Sequence, residues 1–219
     1  GGLAILLAFT IATVVLLPMI TKGYVAKTSY LTYTLPVVVG GWIIGLTGLI
    51  DDIKELSPRL KMLGIFLGAS VIWFFTDFRL NDFKIPFGGP FLHFDPWLSY
   101  ILTVIWIISI TNAVNLIDGL DGLVSGVSII SLVTMGIVYH FFLPVPNLFL
   151  TMTIFVLVMA IAGFFPFNYH PAILYLGDTG ALFIGFMIAV LSLQGLKNAT
   201  AVAVVTPMII LGVPITDTF

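Results

Sequence analysis

The 219-residue sequence contains no cysteine and very little charge, with 8% of its residues Asp, Glu, Lys or Arg against about 25% in an ordinary soluble domain. The first absence removes disulfide frameworks, thiol nucleophiles and thiolate metal sites together, so any metal must rest on oxygen or imidazole. The second excludes a soluble globular protein. Low charge with 14% aromatic residues also excludes a disordered chain. Eight basic residues against ten acidic ones leave no basic face for a nucleic acid. The first apolar run does not read as a signal peptide, since no basic segment precedes it and no small-residue cleavage pattern follows it. What is abundant is hydrophobicity: 60% apolar residues and a mean hydropathy of +1.19. That composition belongs to a polytopic membrane protein, an all-α bundle in the bilayer. Starting at Gly1-Gly2-Leu3 and stopping at Phe219 within an apolar stretch, the chain reads as one transmembrane domain, 1–219, truncated at both ends.

A helical crossing needs roughly 17 to 25 apolar residues. About eight spans are therefore expected, near 3–20, 33–50, 62–76, 97–117, 122–143, 148–167, 180–196 and 199–215. Between Thr76 and Pro96 lies the longest polar connection, whose Asp77, Arg79, Asn81, Asp82, Lys84 and Asp95 read as turn chemistry. Assigning loops alternately to the two faces puts Asp51, Asp52, Glu55, Asp118, Asp121, Asp178 and Asp217 on one side. Only Asp77, Asp82 and Asp95 fall on the other. Ionisable groups at span ends are costly and mark functional sites by default, and here separate segments deliver them to one surface. The basic residues give the opposite hint about orientation: Lys54, Arg59 and Lys61 share the acidic face, while Lys22, Lys27, Arg79, Lys84 and Lys197 oppose it. By the positive-inside rule alone the acidic face would be outside.

Three constellations on the acidic face are candidates for chemistry. The first, Gly48 to Lys61, contains the adjacent carboxylates Asp51 and Asp52; such a pair favours a cation, a shared proton or a nearby lysine, although a solvated helix end also carries acids. The second, Thr111 to Leu123, repeats Asn112, Asn115, Asp118 and Asp121 every three residues. On an unbroken helix Asn112 and Asp121 would point to opposite sides, and Gly119 and Gly122 permit a break that swings Asp121 back. The third, Phe165 to Gly180, ends in Gly177-Asp178-Thr179-Gly180 ahead of an apolar run. Asp178 there suits an N-cap and also a ligand beside backbone amides that suit phosphate, two roles that can coexist. Magnesium fits this inventory, because it is held by one or two carboxylates together with substrate phosphates. His170, the one histidine on this face, reads as an interfacial side chain.

Taken in order, Asp51-Asp52 with Lys61, the run Asn112 to Leu123, the run Phe167 to Gly185 and the closing Gly212 to Thr218 resemble the polyprenyl-phosphate N-acetylhexosamine-1-phosphate transferase family over nearly the whole chain. Arg79 to Phe83 and Ile85 to Gly89 are similar to its Gram-positive branch that begins wall teichoic acid synthesis. The resemblance implies transfer of a sugar 1-phosphate, GlcNAc-1-phosphate for this branch, from a UDP-sugar to undecaprenyl phosphate with release of UMP. It further implies magnesium, with manganese as a substitute, a bacterial cell membrane, a cytoplasm-facing site, and room for a homodimer. By position it assigns Asp51, Asp52 and Asp118 to catalysis, one of the adjacent pair being a base for the lipid phosphate. Lys61, Asn112, Asp121 and Asn168 fall to substrate, Lys61 near the lipid phosphate and Asp121 near the nucleotide sugar. Asn115 and Asp178 fall to the metal.

Ala181 departs from the family, many of whose members have serine there. The family's histidine-rich loop is expected beyond Asp217, and its first span before Gly1. Joining two anionic phosphates needs electrostatic neutralisation at phosphorus, and both direct displacement and a covalent aspartyl route satisfy the residues present. Two other readings remain: a phospho-N-acetylmuramoyl-pentapeptide transferase with the same metal, and a secondary transporter, whose acidic groups should lie near the bilayer midplane.

Overall fold

A computed structural model of the chain describes residues 1–20, 27–84, 91–141 and 148–197. The expected span at 199–215, Asp217, and the segments 85–89 and 212–218 lie outside them. The first helical run consists of α1 (Gly2–Ile11), a π-helical turn (Ala12–Leu16) and α2 (Leu17–Ile20). It is followed by α3 (Lys27–Lys54), α4 (Pro58–Phe75), α5 (Pro96–Leu116), α6 (Leu123–Phe141), α7 (Leu148–Asn168) and α8 (Gly177–Lys197). Among the described residues six helices are long and apolar enough to cross a membrane, and the apolar part of α8, Gly177–Leu193, is a shorter seventh. The expected spans that fall within the described residues thus appear with shifted ends. Those shifts matter for the site: α3 runs on to Lys54 and so carries Asp51 and Asp52 in its last turn, while α4 starts at Pro58 and carries Lys61 in its first. Proline at the first position of α4 and of α5 costs no hydrogen bond, because that N–H has no intrahelical partner.

At the centre of the bundle stands α8, packed by α3, α5, α1 and α6. From Ala181 to Leu193 its side chains are buried, as expected of a helix that is apolar all round. Between apolar helices in lipid there is little hydrophobic drive, so close packing and interhelical hydrogen bonds hold the contacts. Glycine supplies the closeness: a Cβ on Gly48 would stand 2.6 Å from the Asp178 carbonyl oxygen and 2.6 Å from Thr179 Cα, and one on Gly185 would stand 2.9 Å from Thr111 Cα. Polar side chains add the rest, with Trp106 Nε1 donating to Ser192 Oγ at 3.0 Å and the Tyr139 hydroxyl donating to the Leu191 carbonyl at 2.8 Å. Because Gly48 lets α3 seat against the start of α8, Gly48→Ala should lower stability by about 1–3 kcal/mol through overpacking. Gly163, whose added Cβ meets nothing within 4 Å, is the control. Thermal unfolding in detergent should show a fall for the first variant and none for Gly163→Ala.

The polar connection after α4 is more than a run of turns. Strands β1 (Asp82–Lys84) and β2 (Phe91–His93) pair antiparallel in the register Asp82↔His93, Phe83↔Leu92, Lys84↔Phe91. Phe78 and Leu80 are buried, and the Leu80 amide donates to Thr103 Oγ1 at 3.0 Å. This hairpin marks the bundle end opposite Asp51, Asp52 and Asp178, and it anchors α5 at its start through Ser99 Oγ donating to Asn81 Oδ1 at 2.9 Å.

Candidate active site

At the other end of the bundle the last turn of α3, the first turn of α4, the end of α5 and the first turn of α8 meet. Asp51 and Asp52, being consecutive on a helix, project about 100° apart, and their partners differ accordingly. Asp51 is 7% exposed. Glu55 takes a positive φ of 47° at the end of α3, and the chain turns so that the Leu56 amide donates to Asp51 Oδ1 at 2.6 Å. Asp51 Oδ2 pairs with the Lys61 ammonium. The same ammonium lies 3.1 Å from Asp178 Oδ2, and Asn115 Nδ2 donates to Asp178 Oδ1. Lys61 therefore bridges two carboxylates, and α3, α4, α5 and α8 are tied together by four side chains.

Asp52 turns the other way, accepting from the Asp178 amide at 2.8 Å, the Thr179 amide at 3.1 Å and the Thr179 hydroxyl at 2.5 Å. The cap of α8 is thus Asp52, from a different helix. Asp178 is free of that duty, and its side chain faces Lys61 and Asn115. Of the two roles the sequence left open for Asp178, the geometry gives the capping one to Asp52.

Asp118 lies in the turn between α5 and α6. Burial pushes its carboxyl up to about 6, the charges of Asp178 and Asp52 add to the rise, and no hydrogen bond among the described residues offsets it. A raised carboxyl pKa has a definite sign. The folded chain holds the proton more tightly than the unfolded chain, so this group's stabilisation is complete below its ordinary value of 3.8 and is lost as pH rises through about 6. With divalent ions chelated, the midpoint of thermal unfolding should fall between pH 5 and pH 7.5 more in the parent than in Asp118→Asn; identical pH profiles would remove the burial assigned to this carboxyl.

The remaining sequence-derived positions have other partners. Asp121 bonds to the segment before α8. Its Oδ2 accepts from the Ala172 amide at 3.1 Å and sits 3.1 Å from Nδ1 of exposed His170. The amide bond first and then His170 hold its carboxyl below the usual range. Asn112 donates to the Ile108 carbonyl at 2.9 Å and to Met62 Sδ at 3.4 Å. Asn168 is buried, accepts from Ser125 Oγ at 2.7 Å and donates to the Leu174 carbonyl at 3.1 Å, so its amide is turned to the fold. Two residues passed over in the sequence matter here. Thr179 was hidden by its ordinary place in a helix start, and Leu56 contributes only its backbone.

Among the described residues no three Asp, Glu, His or Cys side chains gather as a closed metal cage. Magnesium does not ask for one, since it binds through one or two carboxylates with substrate phosphates and retained water. The donor chemistry fits that mode: Asp178, the amide oxygen of Asn115, and the buried carboxyl of Asp118.

Residues 34–196 match the family described as glycosyl transferase family 4. The chain is 39% identical over 220 residues to a Bacillus subtilis (strain 168) protein named as a probable undecaprenyl-phosphate N-acetylglucosaminyl 1-phosphate transferase, covering 100% of this chain and 57% of that protein. It is 33% identical over 205 residues to the phospho-N-acetylmuramoyl-pentapeptide-transferase of Staphylococcus epidermidis (strain ATCC 12228 / FDA PCI 1200), covering 89% of this chain and 61% of the relative. A third relative, the Dictyoglomus turgidum (strain DSM 6724 / Z-1310) phospho-N-acetylmuramoyl-pentapeptide-transferase, is 35% identical over 155 residues, 69% of this chain and 49% of its own length. The chain spans about half to three fifths of the length of these curated relatives. With the matched stretch running from α3 through α8 and so through every element of the acidic cluster, this multi-pass membrane protein belongs to glycosyl transferase family 4.

Proposed function

We propose that the full-length protein is a phosphoglycosyl transferase that moves GlcNAc-1-phosphate from UDP-GlcNAc to undecaprenyl phosphate on the cytoplasmic face, releasing UMP, as the first membrane step of a teichoic acid or related wall polymer. The observation that carries this reading is Lys61 held between Asp51 and Asp178, with Asn115 on the other Asp178 oxygen. In the reaction an oxygen of the lipid phosphate forms a bond to the β-phosphorus of the UDP-sugar, the pyrophosphate bond breaks, and UMP leaves with the bridging oxygen. The same balance holds if a carboxylate first takes the phosphoryl group and then yields it to the lipid phosphate.

An ammonium has three donors. Two of Lys61's are engaged by Asp51 and Asp178, so the third is available to a phosphate oxygen, placed by two carboxylates rather than by a flexible stem. Asp178 and Asn115 would hold magnesium, or manganese, with Asp118 nearby. When bound, that cation neutralises phosphate oxygens and stabilises the charge developing at the transferred phosphorus. Asp51, fixed by the Leu56 amide, is the member of the pair that faces Lys61.

The carboxylates stand at helix ends and not at mid-span, which favours an enzyme over a transporter that carries ions through the bilayer centre. The similarity to the Staphylococcus epidermidis enzyme keeps UDP-N-acetylmuramoyl-pentapeptide as the rival donor. Purified full-length protein in nanodiscs with undecaprenyl phosphate and magnesium, offered each donor in turn, decides between them by mass spectrometry of the lipid. Undecaprenyl-diphosphate-GlcNAc is the expected product; a muramoyl-pentapeptide lipid made in its place contradicts the donor assignment.

A further inference from the structure

The two neighbouring aspartates do different work. The start of α8 has no cap of its own, because the residue before it is Leu176, whose side chain accepts no hydrogen bond. The first-turn amides of a helix lack intrahelical partners, and here the unpaired N–H groups of Asp178 and Thr179 point at Asp52. Its carboxylate takes both amides and the Thr179 hydroxyl. The backbone is shaped for this contact. Gly177 sits at φ 69°, where a side chain is strained, and a Cβ there would stand 2.9 Å from Asp52 Oδ2. Gly48, one turn before Asp52 on α3, lets that helix approach the Asp178 carbonyl. Asp178 is consequently fixed from two sides: its backbone by Asp52, 126 residues away in sequence, and its carboxylate by Asn115 and Lys61.

We propose that Asp52 is a positioning residue, which pins the first turn of α8 and so sets the place from which Asp178 projects, while Asp51 alone of the pair is turned toward Lys61. Three donors of α8 already share the two oxygens of Asp52, and protonating that carboxylate would weaken the charge-assisted bonds that hold the turn. Asp52 therefore contributes through Asp178 and does not touch the reacting atoms. Its bearing on catalysis rests on the transfer reading above; the contact itself does not.

The test uses the full-length enzyme carrying Asp52→Ala, Asp52→Asn, Thr179→Val, or Asp52→Ala with Thr179→Val. A displacement on the 1 Å scale of a group set from outside the chemistry costs about 100-fold, and that loss of kcat is expected for Asp52→Ala, with a higher magnesium concentration for half-maximal rate. Asparagine caps about as well as aspartate, so Asp52→Asn, which keeps an acceptor for the Asp178 amide, should recover at least about tenfold of the loss. The acid limb of kcat/KM should stay at the same pH in both. Thr179→Val should slow the parent but add nothing to Asp52→Ala. Hydrogen exchange of the peptide covering residues 176–182 should quicken in Asp52→Ala while α5 peptides are unchanged. Should Asp52→Ala not fold, Asp52→Asn and Thr179→Val carry the comparison. Asp52→Asn as inactive as Asp52→Ala with the acid limb gone, or unaltered exchange at the start of α8, overturns the assignment. If the parent transfers no sugar phosphate, the functional reading falls, and the exchange measurement still decides whether Asp52 holds α8.

Discussion

Asp178→Asn in the full-length enzyme is expected to leave thermal stability in detergent near that of the parent while cutting transfer by about 100- to 1,000-fold, the scale on which loss of one group stabilising transition-state charge is felt. The separation follows from which bonds the substitution spares. Asp178 does not cap its helix; Asp52 does, through backbone amides that asparagine leaves in place. The lost contact is one ion pair to Lys61, with the Asp178 side chain 30% exposed. A pair this open to solvent contributes at most about 1 kcal/mol. What the change does remove is an anionic oxygen from the proposed magnesium site, and magnesium prefers hard anionic oxygen. Partial recovery at high magnesium is expected. Parent-like activity with an unchanged magnesium requirement would deny Asp178 any part in holding the metal.

Lys61→Ala should damage both stability and activity, which sets it apart from Asp178→Asn. If Lys61 were a lone point charge awaiting lipid phosphate, its loss would slow transfer and leave the metal site alone. The structure makes that separation impossible, because the ammonium touches Asp178, a proposed metal ligand, and neutralises Asp51, whose side chain is 6% exposed. Removing one partner of a buried ion pair leaves the other charge uncompensated, at a cost of about 3–5 kcal/mol. Unfolding should therefore shift strongly. Asp51→Asn in the Lys61→Ala background should return much of that stability without returning activity. Transfer by Lys61→Ala is expected to fall at least about 100-fold. Independent, additive effects of the two substitutions on stability would show that the pair is not coupled, contrary to the geometry.

How far these residues could be read from the sequence depends on the distance over which each contact acts. Apolar runs placed the helices, and alternation of faces brought Asp51, Asp52, Glu55, Asp118, Asp121, Asp178 and Asp217 to one side, since parity across spans needs no tertiary detail. The division of labour between Asp51 and Asp52 could not be read. It arises from the angle between consecutive helical residues and from what lies opposite, which only packing against α8 supplies. Asp121 shows a related limit. Its three-residue spacing after Asp118 suggested a shared target, yet α5 ends at Leu116 and the Ala172 amide takes its oxygen. Asn168 resembled a ligand by position, but Ser125 and the Leu174 carbonyl claim its amide. The hairpin between α4 and α5 is not legible in the sequence, because strands of three residues carry too little alternation.

The family's description speaks of glycosyl transfer, whereas the proposed role of the cluster around Lys61 is to handle phosphate. UDP-GlcNAc labelled at its β-phosphorus, incubated with the purified full-length enzyme, undecaprenyl phosphate and magnesium, tests that distinction directly. Transfer of sugar 1-phosphate predicts that the label enters the lipid and that UMP appears in equal amount, with both signals lost together in Asp178→Asn. Label retained in UDP while the sugar alone reaches the lipid would contradict it.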